Sequence, residues 1–443
     1  MSAVRPVLVI INTDMEIKTT TKKCPTKIHF RRTHLKRKAY NKRHVGDRFS
    51  NLFDAEKNDS EVVGQYKKIL KFIFLPTILM GVRLNYGWQP QRHLMMWFTM
   101  FNLAFAWCCF LYTQYVHISS ENDKMKVFKV FALYGLGISC IVKGLNYLMR
   151  FKKVQALLEF MLNICRQNST DKRADILKSQ LRKLYSKLKV FAICVLGNLA
   201  LFVSVPVVSY LLNQDLITLI PAIIPFVDQT TLHGYLTANC IMSVNGLLTA
   251  CGTTFCACLY ILLIFNFTMQ IELIGDDIRN LDRMWADKKQ SLGSKRAFLR
   301  DIFIRCQDSD NYIVAVKEIF DRKMFAFFCG AYFSQIFCLF EIAQNNWISG
   351  YSIALLLFQE MMYYCYIGTQ KNVANERLCS LICGTNWYEY DIQSQQVFML
   401  LLLHSSQNRS ELKIGPLAPM NLSTGIEILR SIYSYYAILK NIL

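Results

Sequence analysis

The chain reads as an all-α membrane protein: seven transmembrane helices, a cytosolic N-terminus, an extracellular C-terminus and a helical anchor region on the cytosolic side. Three observations predict this. Of 443 residues, 53% are apolar and 19% charged, where an average soluble domain has roughly 45–50% and about 25%. The apolar residues gather into runs near the roughly 20 that a membrane helix needs. The formal net charge of +20 sits mostly in alternate loops, the pattern by which Lys and Arg orient membrane helices. The 30 Phe and 22 Tyr exclude a disordered chain. With 9 Pro and 19 Gly it is not collagen-like or linker-rich either.

Taken in order, residues 1–65 form a basic cytosolic arm. Between positions 18 and 48, twelve Lys and Arg stand against one acid, Asp47. Such an arm suits anionic lipid headgroups. Nucleic acid is the other partner such charge attracts, and it is not expected here. Residues 7–11 are too short for a signal-peptide core and no small-residue cleavage site follows, so the first span is expected to act as its own signal. Met15 offers a second start. Region 66–93 holds an apolar run, 69–82, broken by Pro76; a surface or re-entrant helix is expected, with an eighth span as the alternative. Region 94–268 carries spans one to four at 94–117, 127–148, 189–212 and 236–267. The fourth exceeds the bilayer, so it must tilt or continue beyond it.

Region 269–323 is read as a cytosolic helical extension. Ile271, Ile274, Ile278, Leu281 and Trp285 recur at three- and four-residue spacing, the seam of an amphipathic helix. Ile313, Val316 and Phe320 form a second seam leading into span five. Spans five and six occupy 324–342 and 348–368 within region 324–370. Region 371–414, an anchor, repeats the seam with Leu378, Leu381 and Ile382, then with the run 397–403, too short to span. These seams suit packing within the chain and assembly between chains. Region 415–443 holds the seventh span, 415–439, where Glu427 and Arg430 stand three apart. That spacing lets them pair and lowers the cost of burial.

Loop charge sets the orientation. Loop 149–189 carries eleven basic residues against Glu159, Asp171 and Asp175, while loop 213–235 and the turn at 341–349 carry none. The N-terminus and loops two, four and six are therefore cytosolic, and seven spans put the C-terminus outside. This reverses a G-protein-coupled receptor, whose acid-Arg-aromatic triplet and Asn-Pro-x-x-Tyr motif are also missing. The sequons at Asn58, Asn168 and Asn408 fall on cytosolic segments and are expected to stay unmodified.

Catalytic and metal chemistry find little support. The closest of the 16 cysteines are Cys108–Cys109, Cys256-x-Cys258 and Cys379-x3-Cys383. None has the second ligand pair a zinc site needs, and within membrane helices Cys behaves as a small hydrophobe. There is no Gly-rich phosphate loop, nucleophile elbow or His-Glu-x-x-His. No cofactor is expected. Glu360, in the middle of span six, is the one acid read as buried between the first and sixth spans, and no partner for it is evident.

At the C-terminus the sequence becomes specific. Asn421-Leu-Ser-Thr-Gly-Ile-Glu-Ile-Leu-Arg-Ser-Ile-Tyr-Ser-Tyr-Tyr-Ala-Ile-Leu439 resembles the last span of insect odorant receptors. Cys365-Tyr-Ile-Gly368, followed by Cys379, Cys383 and Trp387, is similar to the family's stretch after span six, and Ile224-Pro225-Phe226 to its outer loop. The resemblance runs over roughly residues 60–443. It implies a ligand-gated, non-selective cation channel, tetrameric with a shared co-receptor subunit, in the plasma membrane of olfactory sensory neurons. It also implies a pore lined by the last span, cytosolic extensions that hold the tetramer, and a pocket in the outer halves of spans two, three, four and six. Gustatory receptors share this architecture but usually end span seven differently from the Ser434-Tyr435 and Asn441-Ile442 seen here. They are the second reading, ahead of a metabotropic receptor, transporter or enzyme.

The outer halves suit a small, volatile, mostly apolar ligand. Phe131, Tyr134 and Ile138 on span two, Ser204, Val205 and Val208 on span three, Met242, Ser243 and Asn245 on span four, and Tyr351 and Leu355 on span six are the candidate ligand residues. Aromatic walls with few polar groups are what such a pocket needs, and Met adapts to varied shapes. On span seven, Ser434, Ala437, Lys440 and Asn441 form one stripe, expected to border the pore. Lys440 is unfavourable at a cation pore unless other subunits lack the charge; the alternative is that it snorkels to the headgroups.

Overall fold

The computed structural model describes residues 60–79, 90–119, 124–168, 171–213, 218–220, 222–406 and 411–442. The expected basic arm through residue 59, with Met15 and the sequon at Asn58, lies outside the described residues, as does the sequon at Asn408. Among the described residues the chain forms nine α-helices. They are α1 (Glu61–Leu79), α2 (Pro90–Ser119), α3 (Lys124–Gln167), α4 (Asp171–Asn213), α5 (Leu232–Ala286), α6 (Leu292–Asn345), α7 (Ile348–Cys383), α8 (Ile392–Ser406) and α9 (Leu422–Ile442). A short 3-10 turn, Trp387–Glu389, precedes α8, and an antiparallel hairpin of β1 (Lys413–Ile414) and β2 (Ala418–Pro419) precedes α9.

The seven expected spans fall on α2 to α7 and α9. Of these, α3, α4, α5 and α6 contain stretches long and apolar enough to cross a bilayer by length and composition alone. The other three have 30, 36 and 21 residues, which also suffices in length. The middle helices far exceed a bilayer. α5 has 55 residues and α6 has 54, each about 80 Å at 1.5 Å per residue. Neither contains a proline, and past the membrane run each keeps an apolar seam. Ile271, Ile274, Ile278 and Leu281 are buried, as are Ile313, Val316 and Phe320 on α6 and Leu378, Ile382, Phe398 and Leu401 on α7 and α8. Trp285 stacks on Tyr390, ring centroids 4.0 Å apart. The seams read as open to assembly are thus filled inside the chain. What α8 leaves exposed is a different set, Met399, Leu400 and Leu403.

Ion pairs fasten this end of the molecule. Asp277 is buried between Arg173 and Arg305; burial pushes its carboxyl up, against the pull of Arg305 and Arg173. Arg296 reaches Asp391 at 2.6 Å, and Tyr390 donates to Asp282 at 2.9 Å. Lys371 is fully buried, its ammonium 5.7 Å from the Phe267 ring centroid. Burial holds it down at about 8, although Asp310 draws it upward.

α1 begins at Glu61, five residues ahead of the expected region. Val62, Tyr66, Ile69, Leu70 and Ile73 are buried where α1 meets α3, α4 and α5. Asn266 donates to the Tyr66 hydroxyl at 3.0 Å. Leu75 and Ile78 remain exposed.

Two small-residue contacts set helix spacing, as membrane helices commonly use. A Cβ on Gly135 of α3 would lie 2.1 Å from the Gly330 carbonyl oxygen of α6, so the two backbones touch there. A Cβ on Gly368 of α7 would lie 2.0 Å from the Met420 carbonyl oxygen, which seats α9 beside α7. The seventh helix starts at Leu422 rather than 415. Gly415 takes a left-handed φ of 55° in the hairpin turn, and Pro416 and Pro419 lack the N–H a helix interior needs. Asn421 then caps α9, its Oδ1 accepting from the Thr424 amide at 2.8 Å.

Candidate ligand cavity

A cavity of about 110 Å³ lies between α2, α3, α4, α5 and α7. A larger one of about 480 Å³ adjoins it and shares Leu103, Trp107, Cys140, Lys143, Asn245, Thr249 and Thr253. The walls are overwhelmingly apolar, as for sites that take small molecules. The loop before α5 covers the smaller cavity through Ile220. That loop is tied down at both sides: the Leu219 amide donates to Asn239 Oδ1 at 2.7 Å, and the Ile223 amide to Thr113 Oγ1 at 2.7 Å.

Of the eleven candidate ligand residues, Met242 and Asn245 line this space. Tyr134 stands just behind it, its ring 5.4 Å from Trp107 and its hydroxyl donating to Gln114 at 2.5 Å. Phe131 instead faces α6, stacked on Phe337 at 5.6 Å. Ile138, Val208 and Tyr351 are exposed on the outside of the bundle. Leu355 is also exposed and borders a separate shallow groove between α4 and α7. Ser204 donates to the Leu201 carbonyl at 2.8 Å. Ser204, Val205 and Ser243 are half-buried and do not line the cavity.

The walls come from neighbouring positions: Leu136 and Gly137 on α3, Asn198 and Phe202 on α4, Ser352, Ile353 and Leu356 on α7. A shift of one or two residues turns a helical face by about 100–200°.

At the deep end lies an ion pair. Glu360 on α7 accepts from the Lys143 ammonium of α3 and from the Tyr364 hydroxyl, the latter at 2.7 Å. Lys143 and Glu360 are 2% and 5% exposed, and both line the smaller cavity. The Lys143 ammonium also sits 4.5 Å from the Phe327 ring centroid. Lys323 of α6, likewise buried, donates to the Cys256 carbonyl at 3.2 Å. Glu360 is therefore not solitary. The sequence signal was Lys143, a lone cation deep in span two that needs a partner.

From Glu360 a chain of contacts runs along α7 toward α9. Tyr364 packs edge-on against Tyr260, 5.5 Å between centroids. One turn further, Thr369 Oγ1 accepts from the Leu422 amide at 2.9 Å, at the start of α9. α9 buries Thr424, Gly425 and Ile432, and Tyr332 and Ser431 share a hydrogen bond of 2.7 Å. On its other side Ser434, Lys440 and Asn441 are exposed and Ala437 is half-buried. Glu427 and Arg430 are exposed as well, and among the described residues no ion pair joins them.

Among the described residues fifteen cysteines are free thiols, and no three His, Cys, Asp or Glu side chains gather in a metal-holding group.

Comparison with known proteins fits this architecture. The family model described as 7tm Odorant receptor matches residues 123–433. Odorant receptor Or1 of Anopheles gambiae is 21% identical over 135 residues, 28% of this chain. The chain spans about a third, 32%, of that relative's length. Among solved structures, the olfactory receptor OR5 of Machilis hrabei in complex with eugenol superposes with a TM-score of 0.68 at 12% identity, covering 86% of this chain and 100% of that one. The same receptor described without eugenol gives 0.66 at 11% identity, with the same coverage. The family match spans most of the helical bundle, and the fold is that of the solved receptors: the chain belongs to the 7tm odorant receptor family, as a multi-pass membrane protein.

Proposed function

We propose that this chain is the odour-tuning subunit of a heteromeric, odorant-gated, non-selective cation channel, working with a shared co-receptor in the plasma membrane of olfactory sensory neurons. The observation that carries the reading is the cavity among α2 to α5 and α7, joined through α7 to the start of α9. The eugenol-bound relative supports a small volatile organic ligand. Met242 and Asn245 contact it, together with Trp107, Gly137, Phe202 and Ile353.

The mechanism follows from that path. A ligand in the cavity presses on α7, and α7 is the helix that holds the first turn of α9 through Thr369 and Gly368. Ligand favours the open state only by binding it more tightly than the closed one. The stripe of Ser434, Ala437, Lys440 and Asn441, exposed apart from the half-buried Ala437, borders the pore. Lys440 is tolerated because the co-receptor subunits dilute its charge around the ring. The basic end of the molecule is cytosolic, so Met399, Leu400 and Leu403 of α8 serve contacts between subunits there.

Whole-cell recording with an odorant panel on co-expressed subunits tests the reading. Odorant-evoked cation current without added nucleotide is expected; current that requires a second messenger would overturn it. A glycosidase-sensitive mobility shift traced to Asn168 would overturn the orientation.

A further inference from the structure

We propose that the cavity selects a neutral ligand with an apolar body and a hydroxyl group, alcohol or phenol, whose O–H donates to Glu360 at the deep end. This rests on the odorant-receptor reading and adds the ligand's chemical class.

The carboxylate at that end can only accept while the Lys143 pair keeps it ionised. Both bonds that Glu360 receives, from Lys143 and from Tyr364, fall on Oε1. Among the described residues Oε2 receives none, and Glu360 lines the cavity. Asn198 and Ser139 line it too, 5% and 3% exposed, and among the described residues Asn198 Oδ1 and Ser139 Oγ have no hydrogen-bond partner. Asn245 commits its Nδ2 to the Ile241 carbonyl at 3.2 Å, which leaves its oxygen as a further acceptor. Two donors there are engaged, the Lys143 ammonium with Glu360 and beside the Phe327 ring, and the Asn198 amide with the Ser352 carbonyl at 2.8 Å.

Other ligand classes fit less well. An ether, ester or ketone only accepts, and leaves Glu360 Oε2 without a donor. A carboxylate must displace Glu360 from Lys143 and strand it, which is costly in a buried pair. An ammonium ion enters a cluster that already holds two lysines, Lys143 and Lys323, to one carboxylate. A hydroxyl leaves the ion pair intact and supplies the missing donor.

The test uses the full chain co-expressed with the co-receptor. Concentration–response curves are recorded for straight-chain alcohols from hexanol to decanol, each beside its isomeric methyl ether. The readout is the ratio of ether to alcohol half-maximal concentrations. A hydrogen bond to a charged acceptor predicts a ratio of roughly tenfold or more. Lys143→Met with Glu360→Leu is expected to bring the ratio near one. Glu360→Gln keeps an acceptor for Lys143 and Tyr364, so it remains informative if the double variant fails to fold; removing the charged acceptor narrows the ratio several-fold. A ratio near one in the parent, a ratio untouched in every variant that reaches the surface, or silence to all alcohols while other odorants evoke current would overturn the inference alone. Silence to every odorant from surface-expressed subunits would instead overturn the channel reading.

Discussion

The molecule has two regions that bury charge in different ways. In the membrane half, Lys143 and Glu360 are enclosed beside an apolar cavity, with a tyrosine and a phenylalanine ring as their other neighbours. The basic end also encloses Asp277 between two arginines, but there Arg296 meets Asp391 with both side chains partly open to solvent. The pairs have the same chemistry but not the same energetics. Water screens and competes for the second pair. For the first, losing one partner strands a charge where nothing else can solvate it. An ion pair constrains the fold strongly where it is enclosed, as at Lys143–Glu360, and more weakly where water reaches both partners, as at Arg296–Asp391.

Four substitutions test that contrast, read as unfolding of detergent-solubilised protein. Lys143→Met is expected to cost about 3–5 kcal/mol by leaving Glu360 unpaired, with most of the loss restored by adding Glu360→Leu. If the single and double variants are equally destabilised, the pair is no constraint. Gly135→Val forces a side chain into the Gly330 backbone and should cost about 3 kcal/mol, where an unchanged melting curve would mean that the two helices can part.

Lys371→Met should stabilise by about 2–3 kcal/mol near neutral pH. The sign follows from burial: an ammonium held at about 8, below its ordinary 10.5, opposes folding at pH below 8. That penalty fades as pH rises from 8 to 10.5, so stability should climb across this window in the parent and not in the variant. A climb of equal size in both would place its origin elsewhere. Arg296→Met should cost less than about 1 kcal/mol, and a loss as large as that of Lys143→Met would erase the contrast.

The same contrast explains what the sequence made legible. At the basic end the solvent is water, so the spacing of Ile271, Ile274, Ile278 and Leu281 marked the buried face, and those residues are buried. In the membrane half both lipid and protein interior are apolar, and periodicity shows which residues share a face without saying where it points. Phe131 and Ile138 share a face of α3, yet Leu136 and Gly137 meet the cavity. Met242 and Asn245 were legible because polar and adaptable groups on α5 have reason to face inward. The partner of Glu360 escaped notice because it lies 217 positions away, on α3. The late start of α9 was readable in Gly415, Pro416 and Pro419, three residues that no membrane helix opens with easily.

α5 carries a mechanical consequence. It is a single rod of 55 residues that lines the cavity with Met242 and Asn245 and also holds Asp277 between two arginines. A rod cannot let its two ends move separately. A tilt of about 5° around its middle sweeps each end, about 40 Å away, through about 3.5 Å. With one end clamped by the arginines, the clamp becomes the fulcrum, and Met242 and Asn245 lie about 50 Å from it along the rod. A small movement where an odorant sits is then leverage against a fixed base, and the stiffness of that base sets how much of the motion is left for α7 and α9.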